Sequence, residues 1–420
     1  MRLKQLLPFL LWMIACTANA QTDTIRITTY NLLHYGRPQA NRYTLKNTYL
    51  QPILAAVRPT IICFNEIDTT LPGVLDTINK VMPYAMSHGA VHNSTNTDIL
   101  DGLFWKSGKF RLLRDTMICN YVRDIVAYDL YYDDPLLGIS HDTVKLKVIT
   151  AHLKSSNAVP DRNTRATETQ QVAAYLASLH DTVNFVMLGD FNLYKSSEAA
   201  YQNLINPADP LARLNDPANM PGNWDGTASF AAVHTQSPRM VQLSDEGASG
   251  GLDSRFDFLL VSDAIMNGWK GMKYVPNTYT VFGNDGLHFN KALTDTPAHP
   301  TLPTTIIQAL YSNSDHLPVY ADFTLSPKVI TPNAIATLTS WKEKITITNP
   351  FGAAIHYRIA QSSSSFSYRL FSQQGALMQT GHLGQNESTI AIPAGMAPGL
   401  YLLLLCDDQG NSAIWKLMHD

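Results

Sequence analysis

Along residues 24–325 of this 420-residue chain, short apolar runs repeatedly end on a residue that carries an oxygen or imidazole ligand. Ile27-Thr28-Thr29-Tyr30 leads to Asn31, and Ile61-Ile62-Cys63-Phe64-Asn65 leads to Glu66. Val148-Ile149-Thr150-Ala151 leads to His152, and Phe185-Val186-Met187-Leu188-Gly189 to Asp190, with Asn192 just beyond. Asp315-His316 stands directly before Leu317-Pro318-Val319-Tyr320. β-Branched and aromatic runs of this length read as buried strands. A strand end on a rigid sheet holds a side chain still and lets it reach solvent, which is where binding and catalytic groups sit. The fold must therefore supply many short strands and bring their ends together.

Between the strands lie helical stretches. Thr44 to Val57 and Arg165 to Leu179 space their apolar residues by three and four. Leu103-Phe104-Trp105 before the turn Lys106–Lys109 suggests a hairpin, and Val122 to Tyr132 alternates as a further strand. Strands outnumber helices and the helices are interspersed, which argues for an α/β protein of stacked sheets flanked by helices. Asn203 to Gly251 is rich in Pro, Asn, Asp and Gly and has little periodicity, so it reads as a long surface excursion.

The termini differ in character. Arg2 and Lys4, the apolar run Leu6 to Ala15, and Ala18-Asn19-Ala20 fit an export signal over residues 1–20. Three cysteines remain beyond it, Cys63, Cys119 and Cys406, too few and too scattered for a disulfide framework or a zinc motif. Pro327 and Pro332 mark a linker over 327–337, and residues 338–420 read as a small all-β sandwich without clustered Asp, Glu or His. A formal net charge of −3 gives no overall field to attract a polyanion.

The ligand set Asn31, Glu66, Asp190 and Asp315 is dominated by hard oxygens, which favour Mg²⁺, or Mn²⁺ or Ca²⁺, over zinc. Mg²⁺ takes one or two carboxylates and completes its shell with water and phosphate oxygens, so the set suits phosphoester chemistry.

Thr29-Tyr30-Asn31, Asn65-Glu66, Thr150-Ala151-His152, Gly189-Asp190-Phe191-Asn192, Arg255-Phe256-Asp257 and Ser314-Asp315-His316-Leu317-Pro318-Val319 resemble, in order, the motifs of the endonuclease/exonuclease/phosphatase superfamily. That superfamily includes pancreatic deoxyribonuclease, abasic-site endonucleases, neutral sphingomyelinases and inositol-polyphosphate 5-phosphatases. The resemblance implies a four-layer sandwich of two stacked mixed sheets flanked by helices over residues 22–326. It implies metal binding by Glu66 with Asn31 and Asp315, and catalytic roles for His152, Asp190, Asn192, Asp257 and His316. Relatives often carry Asp or Glu two residues beyond the first Asn. Here that position is Leu33, which favours one metal over two. Asn192 would contact the substrate phosphate, joined by Lys154 and Arg162, while Arg165 would either help or pair with an acidic neighbour. Tyr121 and Arg123 are read as strand residues near phosphate, and His34, Trp224 and His288 as rim residues.

The implied activity is that of a nuclease or phosphodiesterase. A phosphomonoesterase, a sphingomyelinase-like phospholipase, or an inactive surface-binding protein stand as alternatives. Tyr368–Gly375, Pro398-Gly399-Leu400-Tyr401 and Lys416 resemble the C-terminal sorting domain of type IX secretion. That implies a secreted or cell-surface protein whose partners are a nucleic acid or other phosphoester and the secretion machinery, and nothing calls for a stable protein partner.

Overall fold

The computed structural model describes residues 22–327 and 342–420, apart from 38–41, 91, 95–96, 98, 135–136, 138–141, 182, 361–364, 374–375, 385–386, 394 and 408–411. The expected export signal, and all of the expected linker but Pro327, lie outside the described residues. The chain divides into two compact units on either side of the Lys328–Val329 bond.

In the first unit the strands are β1 (Asp23–Tyr35), β2 (Ile61–Asp68), β3 (Met86–His88), β4 (Ile99–Lys106), β5 (Phe110–Cys119), β6 (Ile125–Tyr132) and β7 (Lys145–His152). They continue with β8 (Phe185–Asp190), β9 (Leu214–Asn215), β10 (Asp257–Ser262), β11 (Met272–Tyr274), β12 (Thr280–Val281) and β13 (Val319–Leu325). The helices are α1 (Arg42–Val57), α2 (Val74–Asn79), α3 (Val159–Ala177), α4 (Ala199–Ile205), α5 (Asp263–Asn267) and α6 (Thr304–Asn313).

One sheet runs β11-β13-β1-β2-β4-β3 with β12 also on β13, and the other runs β5-β6-β7-β8-β10-β9. Each sheet holds one parallel pair, β1 with β2 and β7 with β8, and each of these pairs is flanked by antiparallel neighbours. A parallel pair needs a long crossover, and here α1 and α3 supply it. The two sheets therefore share one plan: parallel strand, helix, parallel strand.

Residue period two sorts the side chains into layers. Val148 of β7, Val186 and Leu188 of β8 and Leu259 of β10 face the first sheet and meet Ile27, Ile61 and Leu103, while Ile62 and Phe104 lie on its other face in the same core as Leu50 and Leu54 of α1. The alternate residues Ile149, Met187 and Phe258 face Val172 and Leu176 of α3 and Ala200 and Leu204 of α4. Helix, sheet, sheet and helix thus make the four expected layers. Truncating one of these core residues, such as Leu188 to Ala, costs about 2–5 kcal/mol.

Three local expectations are corrected. Leu103–Lys109 is not a hairpin: β4 pairs with β2 and β3, β5 pairs with β6, and the turn passes the chain from one sheet to the other. Periodicity marks a strand but not its partner. Val122 and Arg123 lie in the bend before β6 rather than in the strand. Asn203–Gly251 is not a surface excursion, because Trp224, His234, Thr235 and Arg239 in it are fully buried.

The second unit contains β14 (Ile345–Ile347), β15 (Ala354–Ile359), β16 (Phe366–Ser372), β17 (Leu377–His382), β18 (Glu387–Ala391), β19 (Gly399–Asp407) and β20 (Ser412–His419). Sheets β14-β15-β18 and β17-β16-β19-β20 enclose one core, with Ile355, Tyr357 and Ile390 meeting Leu370, Leu403 and Leu405. Cys63, Cys119 and Cys406 are all free thiols. Among the described residues no helix is long and apolar enough to cross a membrane.

Candidate active site

The C-terminal ends of the two parallel pairs meet between the sheets. Asn31 lies abreast of Asn65 across β1 and β2, and His152 abreast of Asp190 across β7 and β8. Two irregularities aim the side chains. The β1–β2 register shifts between Asn31 and Tyr35, and the β2–β4 register shifts between Phe64 and Ile67. Leu33, His34 and Glu66 adopt positive φ of 49°, 52° and 58°, and Asn192 does so at 51°. Non-glycine residues in this region cluster at functional sites, and bulges re-aim side chains there. Gly189 explains the glycine before Asp190: its φ is 142°, and a Cβ there would stand 1.8 Å from Ala151 O.

Ligand atoms of Glu66, His152 and Asp190 lie within 4.8 Å of one another. Asn31 joins them through its amide nitrogen, which donates to Glu66 Oε1 at 3.0 Å and Asp190 Oδ2 at 3.1 Å. Its oxygen instead accepts from the Leu33 N–H at 2.9 Å. The Asn31 side chain thus presents positive hydrogens to two carboxylates. His34 closes the other side of Glu66, with its N–H 3.3 Å from Oε2.

The second half of the site is a dyad. His316 Nδ1 is 2.7 Å from Asp257 Oδ2, with Asp257 fully buried, and His316 Nε2 is 3.7 Å from Asp190 Oδ2. Thr235 brings the two together. Its hydroxyl accepts the Phe256 and Asp257 N–H groups at 3.0 and 3.1 Å, and its carbonyl accepts the Leu317 N–H at 2.9 Å. Ser314 Oγ ties the same segment to β1 by donating to Asn31 O at 2.7 Å. Lys46 on α1 reinforces that join by donating to Leu32 O and Asn313 O at 2.7 and 2.6 Å. Burial pulls Lys46 down to about 8.

Electrostatics follow from burial. Burial pushes Asp190 up to about 7, against the pull of His316. Burial likewise raises Asp101 to about 7, and Asp101 Oδ1 accepts from Asn65 Nδ2 at 2.7 Å. Asn65 Oδ1 in turn accepts the Asp190 N–H at 3.1 Å. His152 is pushed well below its usual value by burial, with the Arg123 charge adding to it. Burial alone would lower His316 too, but Asp257, Asp190 and Asp315 outweigh it and hold the ring well above its usual value.

Glu66, His152 and Asp190 suit a divalent cation. They offer two carboxylates and an imidazole, and burial together with the nearby Asp257 and Glu66 carboxyls raises Asp190 despite His316. Of the metal set expected from sequence, Glu66 is in this trio and Asn31 hydrogen-bonds two of its members. Asp315 lies outside this trio; its Oδ2 accepts from Ala248 N at 2.7 Å and its Oδ1 is buried without a partner.

Asn192 lies at the site and donates its side-chain N–H to Leu153 O at 3.2 Å. Lys154 and Arg162 make their bonds elsewhere. Lys154 pairs with Asp161 at 3.3 Å, and Arg162 bonds to Asn157. Arg165 takes the second of its two sequence readings: it is fully buried and paired with Glu198 at 2.7 Å. Trp224 and His288 are not rim residues, being 0% and 1% exposed. Trp224 packs under the Arg255 guanidinium, and His288 Nδ1 meets Asp285 at 2.8 Å.

Sequence reasoning missed Thr235 and Gln236. Gln236 Nε2 lies 2.8 Å from His316 Nε2 and 3.3 Å from Asp315 Oδ2. Both residues fall in the aperiodic segment, where no local signal marks a buried partner.

No curated protein matches the chain. Among solved structures, the human Nocturnin catalytic domain with bound sulfate is similar at 14% identity and a TM-score of 0.44, over 73% of this chain and 98% of that one. A humanized D. rerio TDP2 is similar at 15% identity and 0.44, over 71% and 98%. A family protein from Bacteroides thetaiotaomicron is similar at 12% and 0.44, over 73% and 99%. The sequence itself matches the Endonuclease/Exonuclease/phosphatase family over residues 28–272, and the chain belongs to that family.

Proposed function

We propose that the chain is a divalent-metal-dependent phosphoesterase, acting as a nuclease or phosphodiesterase by in-line attack of water on phosphorus, with the P–O ester bond opposite the water breaking and the alcohol leaving to solvent. The observation that carries this reading is the convergence of Glu66, His152 and Asp190 within 4.8 Å, beside a His316–Asp257 dyad that faces the same Asp190 oxygen. A bound cation, Mg²⁺ or Mn²⁺, would be held by that trio and would polarise the phosphoryl oxygen and neutralise developing charge.

The chain's own residues divide the remaining work. Asp190, beside the cation, would orient the attacking water and accept its proton as a carboxylate. His316 presents Nε2–H to a phosphoryl oxygen, and Asp257 fixes the ring through Nδ1. Asn31 steadies Glu66 and Asp190 through its amide hydrogens. His152, kept neutral by burial, would offer the cation a nitrogen ligand through the Nε2 that lies 3.5 Å from Asp190 Oδ2.

Incubation of the purified protein with DNA, RNA and bis(p-nitrophenyl) phosphate, in Mg²⁺, Mn²⁺ or EDTA, tests the proposal. Cleavage is expected with metal and none with EDTA. Cleavage that persists in EDTA, or no cleavage of any phosphoester, refutes it. We also propose that residues 1–20 direct export and that residues 338–420 serve as a type IX sorting address, on the strength of the sequence signals. Fractionation of the producing cells with N-terminal sequencing of the mature chain tests both.

A further inference from the structure

We propose that Gln236 is a substrate-positioning residue. In the free protein its carboxamide occupies the place of a phosphoryl oxygen at His316, and once substrate enters it hydrogen-bonds a non-bridging phosphoryl oxygen. The inference rests on the phosphoesterase reading above.

His316 has one nitrogen to offer. Nδ1 is committed to Asp257 at 2.7 Å, and Nε2, which faces Asp190, is covered by the Gln236 amide at 2.8 Å. A phosphoryl oxygen that bonds Nε2 must therefore take the position the carboxamide now holds. A carboxamide suits the exchange because it carries two N–H donors and a carbonyl acceptor and no charge. With its N–H toward the ring it satisfies a neutral Nε2; turned over, its oxygen accepts from a protonated one.

The exchange leaves little behind it. The second bond of Gln236, to Asp315 Oδ2, is the longer at 3.3 Å, and that oxygen keeps the Ala248 N–H at 2.7 Å when the carboxamide departs. The displaced group also cannot go far. Gln236 N–H donates to Ser254 O at 3.0 Å, and its carbonyl accepts from Asp253 and Ser254 N–H at 2.9 Å each. Its neighbours Thr235 and Ser237 are buried, while Gln236 itself is part-exposed. Movement is confined to side-chain torsions, which swing the amide between His316 and a phosphoryl group beside it.

The test compares wild type with Gln236→Ala, Gln236→Asn and Gln236→Glu. It measures kcat and KM on bis(p-nitrophenyl) phosphate with Mg²⁺, and inorganic phosphate binding by calorimetry in the same buffer. A hydrogen bond to a charged oxygen predicts that Gln236→Ala raises KM and weakens phosphate binding by about tenfold, with kcat little changed. Gln236→Glu should weaken both further by charge repulsion, and Gln236→Asn should recover part of the loss. If Gln236→Ala lowers kcat but keeps KM and phosphate affinity, Gln236 only props His316 and the proposal is overturned; unchanged values in every variant overturn it as well. The phosphate arm separates the two claims. A wild type that binds phosphate but cleaves nothing refutes the phosphoesterase reading, whereas phosphate binding that survives Gln236→Ala and Gln236→Glu refutes this one. Melting curves exclude misfolding as the cause of any loss.

Discussion

Replacing Asp257 by Asn tests how far the dyad controls the site. The substitution keeps volume and removes one charge at 2.7 Å from His316 Nδ1, in a fully buried position. Two unit charges about 4 Å apart, at an effective dielectric of about 20, attract by about 4 kcal/mol, or about three pH units of imidazole titration. Asp190 and Asp315 also hold the ring up and remain in place, so His316 should still titrate, but lower by up to that amount. The new carboxamide can present an N–H to Nδ1, which removes the Nδ1 proton and leaves a neutral ring whose only proton is on Nε2. Loss of a positioned acid–base group costs about 10²–10⁴-fold in rate. The measurements are NMR titration of the His316 ring and single-turnover hydrolysis of a phosphodiester with Mg²⁺, next to a melting curve. If the His316 midpoint does not move, or turnover stays close to wild type, Asp257 does not set the state of His316 and the dyad reasoning fails.

Four other outcomes follow from the structure. Glu66→Gln should abolish Mg²⁺ binding in calorimetry without lowering the metal-free melting temperature, since it removes a carboxylate that faces Asp190; retained Mg²⁺ affinity would contradict the assigned trio. Asp101, Glu168 and Asp190 titrate at about 7 in the folded chain, against about 4 unfolded. The folded state therefore holds extra protons in that window, and metal-free stability falls as pH rises through it. His152, lowered by burial, opposes this only below about 6.5, so urea midpoints should be lower at about pH 8 than at about pH 6.5. Arg165→Met should cost about 3–5 kcal/mol in urea denaturation, because it strands Glu198 in the core, and a loss of under about 1 kcal/mol would show that the pair is idle. Gly189→Ala should unfold the protein or lower its melting point sharply, since its Cβ would meet Ala151 O at 1.8 Å.

The sequence carried what local chemistry can carry. Strands that end on Asn31, Glu66, His152 and Asp190 were legible because β-branched runs and a following ligand are neighbours in the chain. Asp257 and His316 were legible because their motifs sit beside recognisable strands. What was hidden is what arises only on folding. The partner of β4 lies in a different sheet from the strand that follows it, and no alternation pattern records that. Gln236 and Thr235 act through contacts 80 and 22 residues away, with His316 and Asp257 respectively. The partner of Arg165 is visible only in the fold, where Glu198 lies beside it, since a basic residue near a site reads alike whether it faces substrate or core.

The matched plan of the two sheets bears on how the molecule is assembled. Asn31 and Glu66 come from one parallel pair, and His152 and Asp190 from the other. Neither half owns a complete set of ligands. A cation held by Glu66, His152 and Asp190 would close like a clasp over the seam, and its affinity would read out the docking of one sheet on the other. Bound ion would then be a gauge of whether the seam is shut.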